Sequence, residues 1–105
     1  MKKSVKVVAI FPELLWVKLE KLLVQFPIKG LTLISVSGFG SYRNYFREDM
    51  LSRGLKLEIY TTTEYAKILV PKLESFINTH TDASEHGLVA VEPVNHINLE
   101  LNDEV

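Results

Sequence analysis

Between Leu55 and Tyr60 the chain reads Leu-Lys-Leu-Glu-Ile-Tyr, apolar and polar residues in strict alternation. Successive side chains of a strand point to opposite faces, so this is the pattern of a half-buried strand. Leu55, Leu57 and Ile59 ask for a covered face. Lys56, Glu58 and Tyr60 ask for one turned to solvent or to a partner. Whatever else the chain forms, it must supply a layer for one side of a sheet.

The other segments supply it. Ser4–Phe11 (SVKVVAIF) is short, β-branched and, after Lys6, apolar on both faces, as a central strand is. Pro12 ends it and suits the first position of a helix. From Glu13 to Phe26, Leu15, Leu19, Leu22, Leu23 and Phe26 recur at helical spacing, and Pro27 and Gly30 close that helix. Leu31 to Gly40 reads as a second strand and Leu55 to Thr61 as a third. Thr63 is expected to cap a second helix with Tyr65, Leu69, Leu73, Phe76 and Ile77 on its stripe. Pro71 lies inside that stripe, where it removes one backbone bond and bends the helix; the competing reading makes Tyr65–Val70 a strand and starts the helix at Pro71. Asn78–Gly87 reads as a polar loop, Leu88–Val94 as a fourth strand, and "HINLEL" as a short fifth.

The order β-α-β-β-α-β is that of the ferredoxin-like sandwich, an α+β fold with two helices on one face of a four-stranded antiparallel sheet. A chain of 105 residues has room for one such domain, residues 1–105. The other sheet face is expected to meet a second subunit or a ligand. With 47% hydrophobic and 24% charged residues and a formal net charge of -1, the composition is ordinary for a globular protein and any basic patch is local. The absence of cysteine excludes disulfide and thiolate chemistry. Lys2 and Lys3 resemble the start of a signal peptide, but the apolar run after them is short and meets Pro12 and Glu13, and no segment has the length of a membrane helix. The expectation is a cytoplasmic protein without membrane insertion.

The second strand ends in Gly38-Phe39-Gly40, and "SYRNYFREDMLSR" follows, with no core-facing period. A connection of residues 41–53 is long for two strands of a small domain, and such loops tend to be functional. Tyr42, Tyr45, Phe46, Arg43, Arg47 and Arg53 are of the types that dominate protein interfaces, so the loop reads as a docking element, against the plainer reading of an ordered surface loop. Paired glycines at a strand exit fit either a turn or a backbone that a small anion approaches closely.

"GLTLISVSGFG", the loop after it and "KLEI" together resemble the P-II family of signalling proteins, over roughly Val5 to Leu101. The resemblance implies a homotrimer. It would bind a regulatory nucleotide in the clefts between subunits, and dock through its loop on a transporter or on an enzyme of nitrogen or inorganic-carbon metabolism. Carried over by position, Gly38, Phe39, Gly40, Ser41, Lys56 and Gly87 become the candidate nucleotide-binding residues. Three departures are plain. Ser41 stands where the family has an arginine or similar polar residue. "THTDASEHGL" has one glycine, no lysine and the acids Asp82 and Glu85 in place of a glycine-rich phosphate loop. "NLEL" lacks the family's arginine pair. Phosphate recognition rests on cationic and backbone N–H donors. The effector expected is therefore an adenine nucleotide (AMP, ADP, ATP or a cyclic dinucleotide), with AMP, a cyclic dinucleotide or adenosine favoured over ATP and His86 a weak positive contact. The loop also lacks the Tyr-Arg-Gly stretch that is uridylylated in some members. Trp16, off the first helix's stripe, is expected at the trimer surface, with a merely partly covered residue as the alternative.

Other functions are weighed on their own residues. His80, Asp82, Glu85 and His86 offer metal ligands in one expected loop, and a CutA-like trimeric metal-binding protein would use His80 and His86, but the spacing matches no known signature. His96 reads as a turn residue. No nucleophile has an evident base, and the arginine-bearing glycine-rich loop of acylphosphatases is missing after the first strand, where "IFPELL" stands. Nucleic-acid modules of this topology stack bases on central-strand aromatics, where this chain has only Tyr60 and Phe11.

Overall fold

A computed structural model describes residues 3–38, 52–81 and 87–95. Four strands, β1 (Ser4–Phe11), β2 (Thr32–Gly38), β3 (Ser52–Thr62) and β4 (Leu88–Pro93), form one sheet in the order β2-β3-β1-β4. Every neighbouring pair is antiparallel. Helices α1 (Trp16–Leu23) and α2 (Thr63–His80) follow β1 and β3, and a 3₁₀ turn at Glu13–Leu15 leads into α1. This is the ferredoxin-like arrangement. β1 takes the central position that its two-sided apolar pattern requires.

The register shows how alternation became layers. Leu57 lies opposite both Leu33 and Ala9, and Ile59 opposite Val7. These residues, with Phe11 and Leu55, meet Leu15, Leu19 and Leu23 from the first helical segment and Ala66, Leu69, Leu73 and Ile77 from α2 in one core. Each large side chain buried there contributes about 1.5–3 kcal/mol relative to exposure. Trp16 belongs to this packing too. It is half-buried, its ring stacked on Phe11 at a centroid distance of 6.5 Å, which agrees with the reading of a partly covered residue. Its place above the end of β1 anchors the start of α1.

Several boundaries differ from the sequence expectations for identifiable reasons. α1 ends at Leu23 rather than Phe26, and the chain closes with tight Gln25→Leu22 and Phe26→Leu23 backbone bonds of 3.1 and 3.0 Å. Pro27 disfavours a helical conformation at the residue before it, which explains the early exit. α2 is continuous across Pro71, so the strand reading of Tyr65–Val70 fails. It also continues to His80, where a loop was expected. The His80 ring stacks on Phe76 at 4.1 Å with Nδ1 2.8 Å from the Phe76 carbonyl, and the Thr81 hydroxyl donates to the Ile77 carbonyl at 2.8 Å. These contacts satisfy the last-turn carbonyls and extend the helix. The suggested strand at 96–101 lies outside the described residues. Among the described residues, no helix is long and apolar enough to cross a membrane.

The cap of α2 is Thr62, not Thr63: its hydroxyl accepts from the Tyr65 N–H at 3.2 Å, while the Thr63 hydroxyl makes only a 3.4 Å bond to the Lys3 carbonyl. Thr62→Ala is expected to cost about 1 kcal/mol in denaturant unfolding and Thr63→Ala a few tenths; equal costs would contradict this assignment.

Candidate functional site

Among the described residues, two regions have the chemistry of a site: the open face of the sheet and the clefts at the two ends of β2. The open face carries Lys6, Val8 and Ile10 from β1, Thr32, Ile34 and Val36 from β2, Lys56, Glu58 and Tyr60 from β3, and Leu88, Ala90 and Glu92 from β4, as the pairing dictates. No described element covers it. Ile34, Tyr60 and Leu88 are 41%, 39% and 40% exposed, so apolar surface is left open across the full width of the sheet. Through it runs an ionic ladder. Lys56 Nζ lies 3.3 Å from Glu58 Oε2, Lys6 Nζ 3.5 Å from the same oxygen, and Lys6 Nζ 3.3 Å from Glu92 Oε2. The bond to Glu92 holds the Lys6 ammonium above its ordinary pKa, with the charges of Glu58, Glu92 and Tyr60 adding and partial desolvation opposing.

At the end of β2 nearest the 39–51 connection, Glu13, Ser35, Val36, Ser37, Arg53 and Gly54 line a cleft of about 310 Å³. It brings one acid, one base and two hydroxyls around the root of the connection. At the other end, Lys29, Gly30, Leu31, Thr32, Glu58 and Tyr60 line a smaller one of about 170 Å³.

The candidate residues of the sequence fall into this frame unevenly. Gly38 is the last residue of β2, opposite Ser52. Lys56 is on the open face and engaged by Glu58. Gly87 immediately precedes β4, at the opposite edge of the sheet. Arg53 is not a loop residue: it sits in β3 opposite Ser37, because the ladder continues past Gly54 to Ser52. Phe39, Gly40, Ser41, Tyr42, Arg43, Tyr45, Phe46 and Arg47 lie outside the described residues. So do Asp82, Glu85, His86 and His96. His80, expected beside them in a loop, is in the last turn of α2. Among the described residues, no three metal-ligating side chains come together.

No motif singles out Glu13, Ser35 or Ser37, and no local pattern links Lys6 to Glu58 and Glu92. Alternation marks Lys56 and Glu58 as facing outward. That Lys6 lies beside them is a matter of register, which the pattern of one strand does not carry.

No family model matches the sequence, and no curated protein matches it. Solved structures do match. A DUF3240 family protein from Shewanella baltica OS155 superposes with a TM-score of 0.73 at 14% identity, over 95% of this chain and 99% of that one. Arabidopsis thaliana PII, in a structure bound to citrate, gives 0.69 at 25% identity over 89% of this chain and 78% of its own. Bacillus subtilis GlnK, in a complex with ATP, gives 0.68 at 18% identity over 89% and 85%.

A raised lysine contributes stability that is complete below about pH 10.4 and is lost as pH rises through the higher folded value. Glu92→Gln removes the leading cause. The melting difference between native protein and variant is therefore expected to hold steady from pH 8 to about 10 and to shrink above it; a difference unchanged to pH 12 would contradict the assignment. The fold of this chain is therefore the one these P-II-like structures share.

Proposed function

We propose that this chain is a P-II-like regulatory protein that assembles as a homotrimer, takes an adenine nucleotide in the cleft between subunits, and passes its state to a target protein through the connection around residues 41–51. The observation that carries this reading is the placing of the two candidate glycines. Gly38 ends one edge strand, Gly87 immediately precedes the other, and β3 and β1 lie between. At about 4.8 Å per strand they are some 14 Å apart across the sheet. A ligand that reaches both strand ends is more readily seated between the β2 edge of one copy and the β4 edge of the next than within one chain.

The open sheet face supports the same assembly. Its apolar residues suit burial, and its charges are paired within the chain, so covering them strands none. The neighbours add the ligand class: the Bacillus GlnK structure holds ATP and the Arabidopsis PII structure holds citrate, both anions. In this chain Arg53 stands at the loop root with Glu13 across the cleft, and Asp82 and Glu85 occupy the stretch before Gly87. That mixture favours a less charged ligand than a triphosphate. Bound beside Gly38, Gly40, Ser41 and Lys56, the nucleotide touches the root of the connection and shifts it only to the degree that it discriminates between its states. Tyr42, Arg43, Tyr45, Phe46 and Arg47 then meet the target, a transporter or a metabolic enzyme.

Titration calorimetry with AMP, ADP, ATP and a cyclic dinucleotide tests the effector. Binding is expected with one site per chain, AMP or the cyclic dinucleotide ahead of ATP, and Lys56→Ala weakening it about tenfold or more. Flat isotherms for all four would overturn the nucleotide reading.

A further inference from the structure

We infer that Ile77 is a positioning residue for the Gly87 side of the proposed cleft, and that position 87 is glycine because the chain there must seat on Ile77. The inference rests on the reading of Gly87 as part of an effector cleft. A Cβ built on Gly87 overlaps Cγ2 of Ile77, and lies 3.3 Å from Ile77 Cβ and 3.1 Å from the backbone oxygen of Ile10. The backbone of Gly87 is not in the left-handed region, so its conformation does not itself call for glycine. The requirement is one of space alone.

Neither neighbour yields easily. Ile77 is 1% exposed in the core beneath α2, and its Cγ2 springs from a branched Cβ whose rotamer is nearly fixed in a helix. The Ile10 oxygen belongs to the central strand. The last turn of α2 is held in place by the Thr81 hydroxyl on the Ile77 carbonyl and by the Phe76–His80 stack. Gly87 is therefore wedged between the two layers, and Ile77 sets how closely the start of β4 approaches β1. In this reading the glycine serves the ligand at second hand, by fixing where the edge of β4 stands.

A cycle of Gly87→Ala, Ile77→Leu and the double variant decides it, because leucine removes Cγ2 at constant volume. Two quantities are read: melting temperature, and calorimetric affinity for AMP, ADP and ATP well below the lowest melting point. Gly87→Ala is expected to lower the melting temperature by about 5 °C or more and to weaken nucleotide binding about tenfold. Ile77→Leu alone is expected to change both less. The double variant should recover part of each loss. Losses that simply add would overturn the inference, as would a Gly87→Ala protein that melts like the native one yet no longer binds nucleotide, since the glycine would then face the ligand directly. If the native protein binds none of the three nucleotides, the effector reading falls, and the melting cycle still decides whether Ile77 seats Gly87.

Discussion

A four-stranded sheet has two faces, and among the described residues there are helices for only one of them. Leu57 shows the constraint at the scale of a residue. It is fully buried between Leu33 and Ala9 under the helices, while Lys56 and Glu58 on either side of it point the other way. The covered face makes the core. The open face carries Val8, Ile10, Ile34, Val36, Leu88 and Ala90 around Lys6, Lys56, Glu58 and Glu92. Ion pairs at a surface contribute little, typically about 0–1 kcal/mol, so the ladder is not what holds a single chain together. Its chemistry matters more if the face is covered, since burying a charge without its partner is far costlier than burying a matched pair.

The two edges of the sheet differ in the same direction. β4 ends in Glu92 and Pro93, a charge and a residue without an amide hydrogen, both of which discourage a further strand. β2, Thr-Leu-Ile-Ser-Val-Ser-Gly, has neither. Beside that unguarded edge lie both small clefts, one with Arg53 and Glu13, the other with Lys29, Glu58 and Tyr60. The polar groups suited to a ligand thus gather along the edge least equipped to remain alone. Gly87 stands at the far edge, held by packing on Ile77.

Much of the fold was legible in residue order, because alternation and helical spacing each leave a period. The central place of β1, the apolar faces of both helices and the order of elements could all be read from where leucines, isoleucines and valines recur. What could not be read depended on contacts between distant residues. Thr62 rather than Thr63 caps α2 because backbone geometry there places Thr62 at the boundary; the two threonines are equivalent as letters. His80 joins the helix through a stack on Phe76 that no propensity records. Arg53 belongs to a strand because β2 keeps pairing as far as Gly38, and a Ser-Arg-Gly stretch does not announce that. The glycine at 87 was legible as a special position but not for its reason, which is Ile77 on another element. The ionic ladder needed the register of three strands at once.

The most direct test concerns the uncovered face. Sedimentation equilibrium of the full chain at micromolar concentration, in buffer of ordinary ionic strength, gives its mass in solution. A species of three times the 12.0 kDa chain mass is predicted, with Lys6→Glu shifting it toward the single chain. A native protein that sediments as one chain throughout would contradict a site shared between copies.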